Sequence, residues 1–263
     1  MRKRVHPIPL VYPATGREEL IIGRQSVLEA LRCRKPYRIL LTEGQKGAIL
    51  ASLSELARLK AVPVNVLSRA DFEHAVGALT GHQGVAAVVP PFQYLSLEAL
   101  IRISQSTVQQ PFLLMLDHIE DPQNFGAVMR TANAAGIHGI IIPSHRTATV
   151  TAAVCKVAAG AAEHLPVAVA GSLVQAAAVL KKNGFWLYGA EADGDSAHYR
   201  ADYRVPLVLI IGSEGRGLSR PLRESCDQIV SIPMPGAAGS LNVAAAAAVL
   251  IYTALSQRAG WSS

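Results

Sequence analysis

The chain has 263 residues, a formal net charge of +6 and a sequence pI near 9.4. Half of the residues are apolar and only 5% are aromatic, which is typical of helices packed on a parallel sheet and unlike a β-sandwich. No uninterrupted apolar stretch approaches the roughly 20 residues that a membrane span needs. The basic N-terminus MRKR is followed by prolines that would interrupt the apolar core of a signal peptide. The excess of positive charge favours a polyanionic partner such as nucleic acid.

The cysteine pattern indicates neither a disulfide framework nor a zinc site. The cysteines are odd in number, far apart and without CxxC spacing, and they lie at positions 33, 155 and 226. Asp117, His118 and Asp121 are spaced too loosely to indicate a metal site. We therefore expect a cytoplasmic protein with free thiols and no bound metal.

The first predicted domain covers residues 19–90 and follows a basic arm at residues 1–18. Helices are predicted at residues 22–31, 48–59 and 69–78, and strands at residues 38–42, 63–67 and 84–89. Residues 91–110 open with two prolines, contain one weak helix at 97–103 and end in the polar run SQSTVQQ. We interpret them as an interdomain linker.

The second predicted domain covers residues 111–263 and has the pattern of a parallel α/β sheet. Strands are predicted at residues 112–117, 139–142, 166–169, 185–190, 207–212 and 228–232. Helices are predicted at residues 125–135, 151–159, 173–183, 220–224 and 242–259. Ligand sites of such sheets lie at the carboxyl ends of the strands, so the loops there are the places to look for function.

The first of these loops belongs to the segment DHIEDPQNFGAVMR, which starts where an apolar strand ends. Asn124 is predicted at the N-cap of the next helix, and Arg130 follows between one and two turns later. A capping asparagine with a solvated arginine would explain the segment equally well if it stood alone.

The second segment, LVLIIGSEGRGL, runs from a buried strand into a loop that is rich in glycine. Its G-x-x-G-x-G order differs from the dinucleotide-binding G-x-G-x-x-G pattern, and the GK[ST] of a P-loop is missing. Glu214 is the informative residue, although an exposed turn glutamate without a role remains open.

The third segment, IPMPGAAGSLNV, leads into an alanine-rich helix. Pro233 and Pro235 favour an extended exit from a strand, and Ser240 or Asn242 can cap the helix. An ordinary capped helix explains the two caps, but not the crowding of prolines and glycines before them.

In order and spacing, the three segments resemble the motifs of the SpoU/TrmH branch of the SPOUT RNA methyltransferases. The matching residues are Asn124, Gly126 and Arg130, then GSEGRGL at 212–218, then IPM and SLNV within 232–243. The resemblance covers about residues 110 to 260. The runs IGRQSVLEAL and HQGVAAVV look like parts of the L30e-like substrate domain of rRNA-modifying members.

The resemblance implies an S-adenosyl-L-methionine-dependent methyltransferase that modifies a ribose 2′-oxygen in RNA, with 23S rRNA favoured as the substrate. It also implies a deep trefoil knot and a homodimer with the active site at its interface. The implied cofactor contacts are Gly212, Ile232, Met234, Leu241, Ala190 and Glu191.

The implied catalytic residues are Arg130, Asn124, Glu214, Ser240 and Asn242. Arg130 is the base that the family suggests, but a guanidinium stays protonated in proteins. We therefore favour Arg130 as a ligand of the RNA phosphate and of developing alkoxide charge. Glu214 would hold Arg130 or its loop, and the remaining polar side chains would orient the ribose. The basic residues expected to contact RNA are Arg24, Arg32, Arg34, Lys35, Arg38 and Lys46, together with the N-terminal arm MRKR.

Other functions remain open at this point. Within the same chemistry these are a tRNA 2′-O-methyltransferase and an rRNA methylase that confers antibiotic resistance. A non-catalytic RNA-binding protein on the same scaffold is the alternative from another class. A nicotinamide dehydrogenase is disfavoured because its glycine fingerprint is missing.

Overall fold

The structure is a computed structural model that describes residues 18–237 and 239–261. All but the last residue of the predicted basic arm therefore lie outside the described residues. The chain divides into two compact units, of which one comprises residues 1–93 and 150–163 and the other residues 94–149 and 164–263. Elements are numbered in chain order throughout.

The first unit contains a four-stranded sheet in the order β1-β4-β2-β3. Its strands are β1 (Glu19–Ile22), β2 (Arg38–Thr42), β3 (Val64–Leu67) and β4 (Val85–Val89). Strand β4 is antiparallel to β1 and β2, and β2 is parallel to β3. Its helices are α1 (Arg24–Cys33), α2 (Ala48–Leu59), α3 (Arg69–Val76) and α6 (Ala152–Ala158), with a 3-10 turn at Ala161–Glu163.

Strand β1 corrects the prediction that a helix begins at Ile22. Ile22 ends a strand of four residues, and Gly23 then takes a φ of +94°, which turns the chain before α1 starts at Arg24. A strand this short shows no alternation, and only its pairing with β4 reveals it.

Residues 150–163 belong to the first unit, although the sequence suggested the second. The hydroxyl of Ser26 on α1 donates a hydrogen bond of 2.9 Å to the carbonyl of Cys155 on α6. Such a long-range contact leaves no trace in the local pattern by which the helix was predicted.

The predicted linker at residues 91–110 is also corrected, because most of it is packed into the second unit. Helix α4 (Leu97–Gln105) begins after Ser96, whose side chain accepts a hydrogen bond from the backbone of Ala99. Leu97, Leu100 and Ile101 are buried in the core of the unit. The helix itself was predicted, but its packing into the second unit was not, because the run is short and has polar surroundings.

The second unit contains a seven-stranded parallel sheet in the order β7-β6-β5-β10-β8-β11-β9. Its strands are β5 (Phe112–Asp117), β6 (Gly139–Pro143), β7 (Val167–Ala170), β8 (Trp186–Ala190), β9 (Ser196–Ala197), β10 (Leu207–Gly212) and β11 (Gln228–Ser231). Besides α4, its helices are α5 (Pro122–Ala134), α7 (Leu173–Lys182), α8 (Arg220–Glu224) and α9 (Val243–Ala259), with a 3-10 turn at His198–Arg200. The predicted parallel α/β fold is confirmed.

The central strands β5 and β10 are buried along their whole length and lie side by side. Strand β5 has β6 on its other side, whereas β10 has β8, so the strand order reverses between them. This is the point where open α/β sheets bind ligands beyond the carboxyl ends of their strands. None of the helices that the structure describes is long and apolar enough to cross a bilayer.

Candidate active site

Strand β5 ends at Asp117, and the loop after it leads into helix α5. Asp121 caps this helix by accepting a hydrogen bond of 2.9 Å from the backbone N–H of Gln123, and Pro122 occupies the first turn, where no donor is needed. Asn124 is therefore not the N-cap, as the sequence predicted, but lies inside the first turn. Its side-chain amide is free from capping and can reach other elements.

Strand β10 ends at Gly212 and enters a tight loop in which the N–H of Gly217 donates to the carbonyl of Ser213 at 2.9 Å. A Cβ at Gly212 would lie only 2.1 Å from the carbonyl carbon of Gly217, so the close approach requires glycine. Glu191, just after β8, accepts a hydrogen bond of 2.6 Å from the N–H of Leu218 and holds the far end of the loop.

Helix α9 begins at Val243, the last residue of the third segment, and its N-cap is Asn242, one of the two residues predicted to cap it. The Oδ1 atom of Asn242 accepts a hydrogen bond of 2.9 Å from the backbone of Ala244. Its Nδ2 atom donates to Oδ1 of Asn124 at 2.9 Å and lies 3.5 Å from Oε2 of Glu214. One polar residue from each of the three segments thus meets in a single cluster.

Two cavities adjoin this cluster. The first has a volume of about 390 Å³, and its lining includes all six residues expected to contact the cofactor together with Ser240. The second has a volume of about 570 Å³, and Asn124 is part of its wall. Both cavities share the residues Ser213, Glu214, Arg216, Gly217 and Val243. A molecule in one cavity is therefore next to a molecule in the other.

Two of the expected catalytic residues, Arg130 and Ser240, lie outside this cluster. Ser240 lines the first cavity. The side chain of Arg130, in contrast, is exposed on α5 and lines neither cavity as the described residues form them. A role for Arg130 at the reacting atoms requires a further component, either the RNA or a second copy of the chain.

The second cavity is also lined by Asp117, His118 and Asp121, whose spacing in the sequence was considered only as a possible metal-binding pattern. Asp117 is 2% exposed, and its Oδ2 atom accepts a hydrogen bond of 2.8 Å from the N–H of Ser219. Its Oδ1 atom is in hydrogen-bond contact with Nδ1 of His118, which adopts a φ of +59°. In the sequence, this pair could have been suspected from the position of Asp117, an acidic residue at the very end of a buried strand.

Comparison with known proteins gives consistent matches along the chain. Residues 111–252 match the sequence model of the SpoU rRNA Methylase family, and residues 20–95 match that described as RNA 2′-O ribose methyltransferase substrate binding.

Two curated relatives align over nearly the whole chain. A Bacillus subtilis protein described as the putative TrmH family tRNA/rRNA methyltransferase YacO is 37% identical, over 91% of this chain and 96% of its own length. An uncharacterized tRNA/rRNA methyltransferase from Mycolicibacterium vanbaalenii is 38% identical, over 93% of this chain and 78% of its own length.

Among solved structures, the SpoU methyltransferase AviRb from Streptomyces viridochromogenes, in complex with the cofactor AdoMet, matches with a TM-score of 0.79. Its sequence is 26% identical, and the match covers 95% of this chain and 96% of that one. The motif residues, the parallel sheet and these matches agree, and the chain belongs to the SpoU rRNA Methylase family.

Proposed function

We propose that this protein transfers a methyl group from S-adenosyl-L-methionine to a ribose 2′-oxygen of RNA. The observation that carries the proposal is the pair of adjoining cavities with the Asn124–Asn242–Glu214 cluster beside their shared wall. In-line transfer needs a donor and an acceptor held next to each other, and a large part of the acceleration comes from that positioning.

The first cavity fits the methyl donor in size and chemistry. Its volume of about 390 Å³ lies within the range of roughly 300–1,000 Å³ that is usual for small-molecule sites. Apolar side chains such as Ile211, Ile232 and Leu250 can cover the adenine ring, while the glycine loop exposes backbone groups for polar contacts. When bound, S-adenosyl-L-methionine supplies a methyl group on a sulfonium that an oxygen nucleophile can displace. The AdoMet complex of AviRb supports this assignment.

The polar cluster orients the acceptor. Asn242 contacts both Asn124 and Glu214 and holds them in place. Asn124 and Glu214 line the second cavity, so they present a fixed amide and a fixed carboxylate to the ribose. Ser240 adds a hydroxyl at the rim of the first cavity.

Arg130 binds an RNA phosphate and stabilises the negative charge that develops on the 2′-oxygen, because its guanidinium stays protonated. We expect Arg130→Lys to retain part of the turnover. Complete loss of turnover with unchanged RNA affinity would contradict this role.

The first unit selects the RNA, and its match to a 2′-O ribose methyltransferase substrate-binding model supports this assignment. Some of the expected RNA contacts are already engaged, since Arg34 pairs with Glu163 at 2.8 Å and Arg32 pairs with Glu29 at 2.8 Å. Arg38 lies 3.6 Å from Glu18. Arg24 is engaged as well, since its Nη2 atom donates a hydrogen bond of 2.6 Å to Oε1 of Gln45. The exposed Lys35 and Lys46 therefore remain as the stronger candidates for phosphate contacts.

We favour 23S rRNA as the substrate, because the sequence of the first unit resembles the L30e-like substrate domain of rRNA-modifying members. A tRNA substrate is the alternative, since the names of the curated relatives include both RNA classes. An rRNA methylase that confers resistance would use the same site. We further propose a cytoplasmic homodimer with a trefoil-knotted second unit. The exposed apolar residues Val249 and Tyr252 on α9 support self-association through that helix.

Two measurements test the proposal together. Isothermal titration calorimetry should show S-adenosyl-L-methionine binding that is lost when Leu241→Trp fills the first cavity, whereas the exposed-site control Val174→Trp should bind normally. Methylation assays on undermethylated 23S rRNA and on total tRNA then identify the RNA class. Absence of cofactor binding by the folded protein would instead favour a non-catalytic RNA-binding protein.

A further inference from the structure

The reaction proposed above requires a group that accepts the proton of the 2′-hydroxyl. The guanidinium of Arg130 has no free lone pair, and the amides of Asn124 and Asn242 are not bases at neutral pH. We place the ribose in the second cavity, which adjoins the proposed cofactor cavity, and we therefore expect the acceptor among the side chains that line it. Imidazole is the side chain whose ordinary pKa, about 6.5, suits a general base near physiological pH.

His118 lies in the wall of this cavity, together with Asn124 and Glu214. It is the first residue after β5, and its φ of +59° is uncommon for a residue other than glycine. Its side chain is 42% exposed, so the ring is open to the cavity and to solvent. A position that would suit glycine thus carries an imidazole at the edge of the proposed RNA site.

Asp117 orients this imidazole. The Asp117 side chain is 2% exposed, and the N–H of Ser219 fixes one of its oxygens at 2.8 Å. The other oxygen faces Nδ1 of His118. A carboxylate can only accept a hydrogen bond, so Nδ1 carries the proton and Nε2 keeps its lone pair. A buried carboxylate orients the base in the same way in serine hydrolases.

The geometry points to His118 as the catalytic base of this reaction, with Asp117 as its positioning residue; the inference rests on the proposed function. The 2′-O–H bond breaks, its proton passes to Nε2 of His118, and its electron pair stays on oxygen. That oxygen forms the new bond to the methyl carbon as the carbon–sulfur bond breaks and its pair remains on sulfur. His118 leaves the step as an imidazolium and releases its proton to solvent through the exposed face.

The charged groups that face the cavity set the conditions for this proton transfer. They are Asp117, Glu120 and Asp121 from the β5–α5 segment, Arg146 from the loop after β6, and Glu214 and Arg216 from the loop after β10. The three acidic groups other than Asp117 stabilise the imidazolium after transfer, and the two arginines attract the RNA phosphates.

The activity test uses single-turnover methylation at saturating RNA and cofactor. We expect His118→Asn to slow methyl transfer by about 10²–10⁴-fold, because this is the usual contribution of a general base. Asparagine tolerates the positive φ, so the fold should be retained. The exposed His74→Asn should match the wild type in rate.

Chemical rescue separates proton transfer from RNA binding. His118→Gly suits the backbone conformation and leaves space for a small base, so added imidazole should restore at least a tenth of the wild-type rate. RNA affinity, measured by filter binding, should stay within threefold of wild type. A variant rate within threefold of wild type, or a loss explained entirely by RNA affinity, would overturn the assignment.

A spectroscopic readout does not depend on methyl transfer. With ¹⁵N-labelled histidine, the nitrogen shifts of His118 at pH 8 should show Nδ1–H and an unprotonated Nε2, and Asp117→Asn should abolish this preference. An Nε2–H tautomer in the wild type would overturn the assignment even if no methylated RNA were found. If the expected tautomer is present but no RNA is methylated, the proposed function fails, and this outcome can be told apart from a failure of the assignment of His118.

Discussion

Replacement of Gly212 by alanine tests whether the loop after β10 forms the cofactor cavity. The added Cβ would lie 2.1 Å from the carbonyl carbon and 2.2 Å from the carbonyl oxygen of Gly217. Favourable contacts between carbon atoms are about 3.5–4.0 Å, so the loop must move by more than about 1 Å. The obstructing atoms belong to the backbone and cannot rotate away.

Such overpacking costs typically ~1–3 kcal/mol. For a protein of this size the cost corresponds to a fall in Tm of roughly 2–12 °C. Because the loop lines the cavity, we also expect the Kd for S-adenosyl-L-methionine to rise at least tenfold.

The assays are differential scanning calorimetry and isothermal titration calorimetry, with Gly236→Ala as the matched control. A Cβ at Gly236 meets nothing within 4 Å, so this substitution in the third segment should change stability by less than about 0.5 kcal/mol. A Gly212→Ala protein with wild-type Tm and wild-type cofactor affinity would show that this loop neither needs a glycine at position 212 nor shapes the cofactor cavity.

Three further outcomes follow from individual contacts. Asn242→Ala should lower the free energy of unfolding by ~1 kcal/mol through loss of the helix cap. A double-mutant cycle with Asn124→Ala, measured by urea titration, should show coupling between the two substitutions, because the two amides are 2.9 Å apart. Additive effects would contradict that pairing. Glu191→Ala should cost ~1–3 kcal/mol by leaving the N–H of Leu218 without its acceptor, and equal stability of Glu191→Ala and wild type in the same titrations would argue against the contact. Burial lowers the pKa of His138, so the unfolded chain binds the proton more readily and the free energy of unfolding should fall as pH drops below about 6.5. His138→Asn should flatten this dependence in urea titrations at pH 5.5 and 7.5, and an unchanged slope would contradict it.

The sequence predicted most of the second unit because each of its long strands is a continuous apolar run. The run at 207–212 coincides with β10, and the run at 112–117 coincides with β5. The motif residues were also predictable as a group, since parallel strands bring their carboxyl ends to the same edge. The expected meeting of Asn124, Glu214 and Asn242 depends only on that rule and on the order of the segments.

Other features could not be read from local patterns. The assignment of α6 to the first unit depends on contacts such as Ser26 with Cys155, which are 129 positions apart. The helix cap is Asp121 and not Asn124, because Pro122 is favoured in the first turn of a helix and the cap precedes it. The sequence DPQN already contained this signal. The pairing of Asp117 with His118 requires knowledge of the backbone conformation, since adjacent side chains on an extended chain point to opposite faces.

Transfer of the methyl group to a ribose oxygen can be tested by locating the transferred label on the RNA. The protein is incubated with ¹³C-methyl-labelled S-adenosyl-L-methionine and undermethylated ribosomal RNA, and the RNA is divided between nuclease digestion and alkaline hydrolysis. We expect mass spectrometry to find the label in a 2′-O-methylnucleoside, and alkaline hydrolysis to leave a resistant dinucleotide at the same position. Label on a nucleobase, with every phosphodiester cleaved by alkali, would contradict transfer to the ribose.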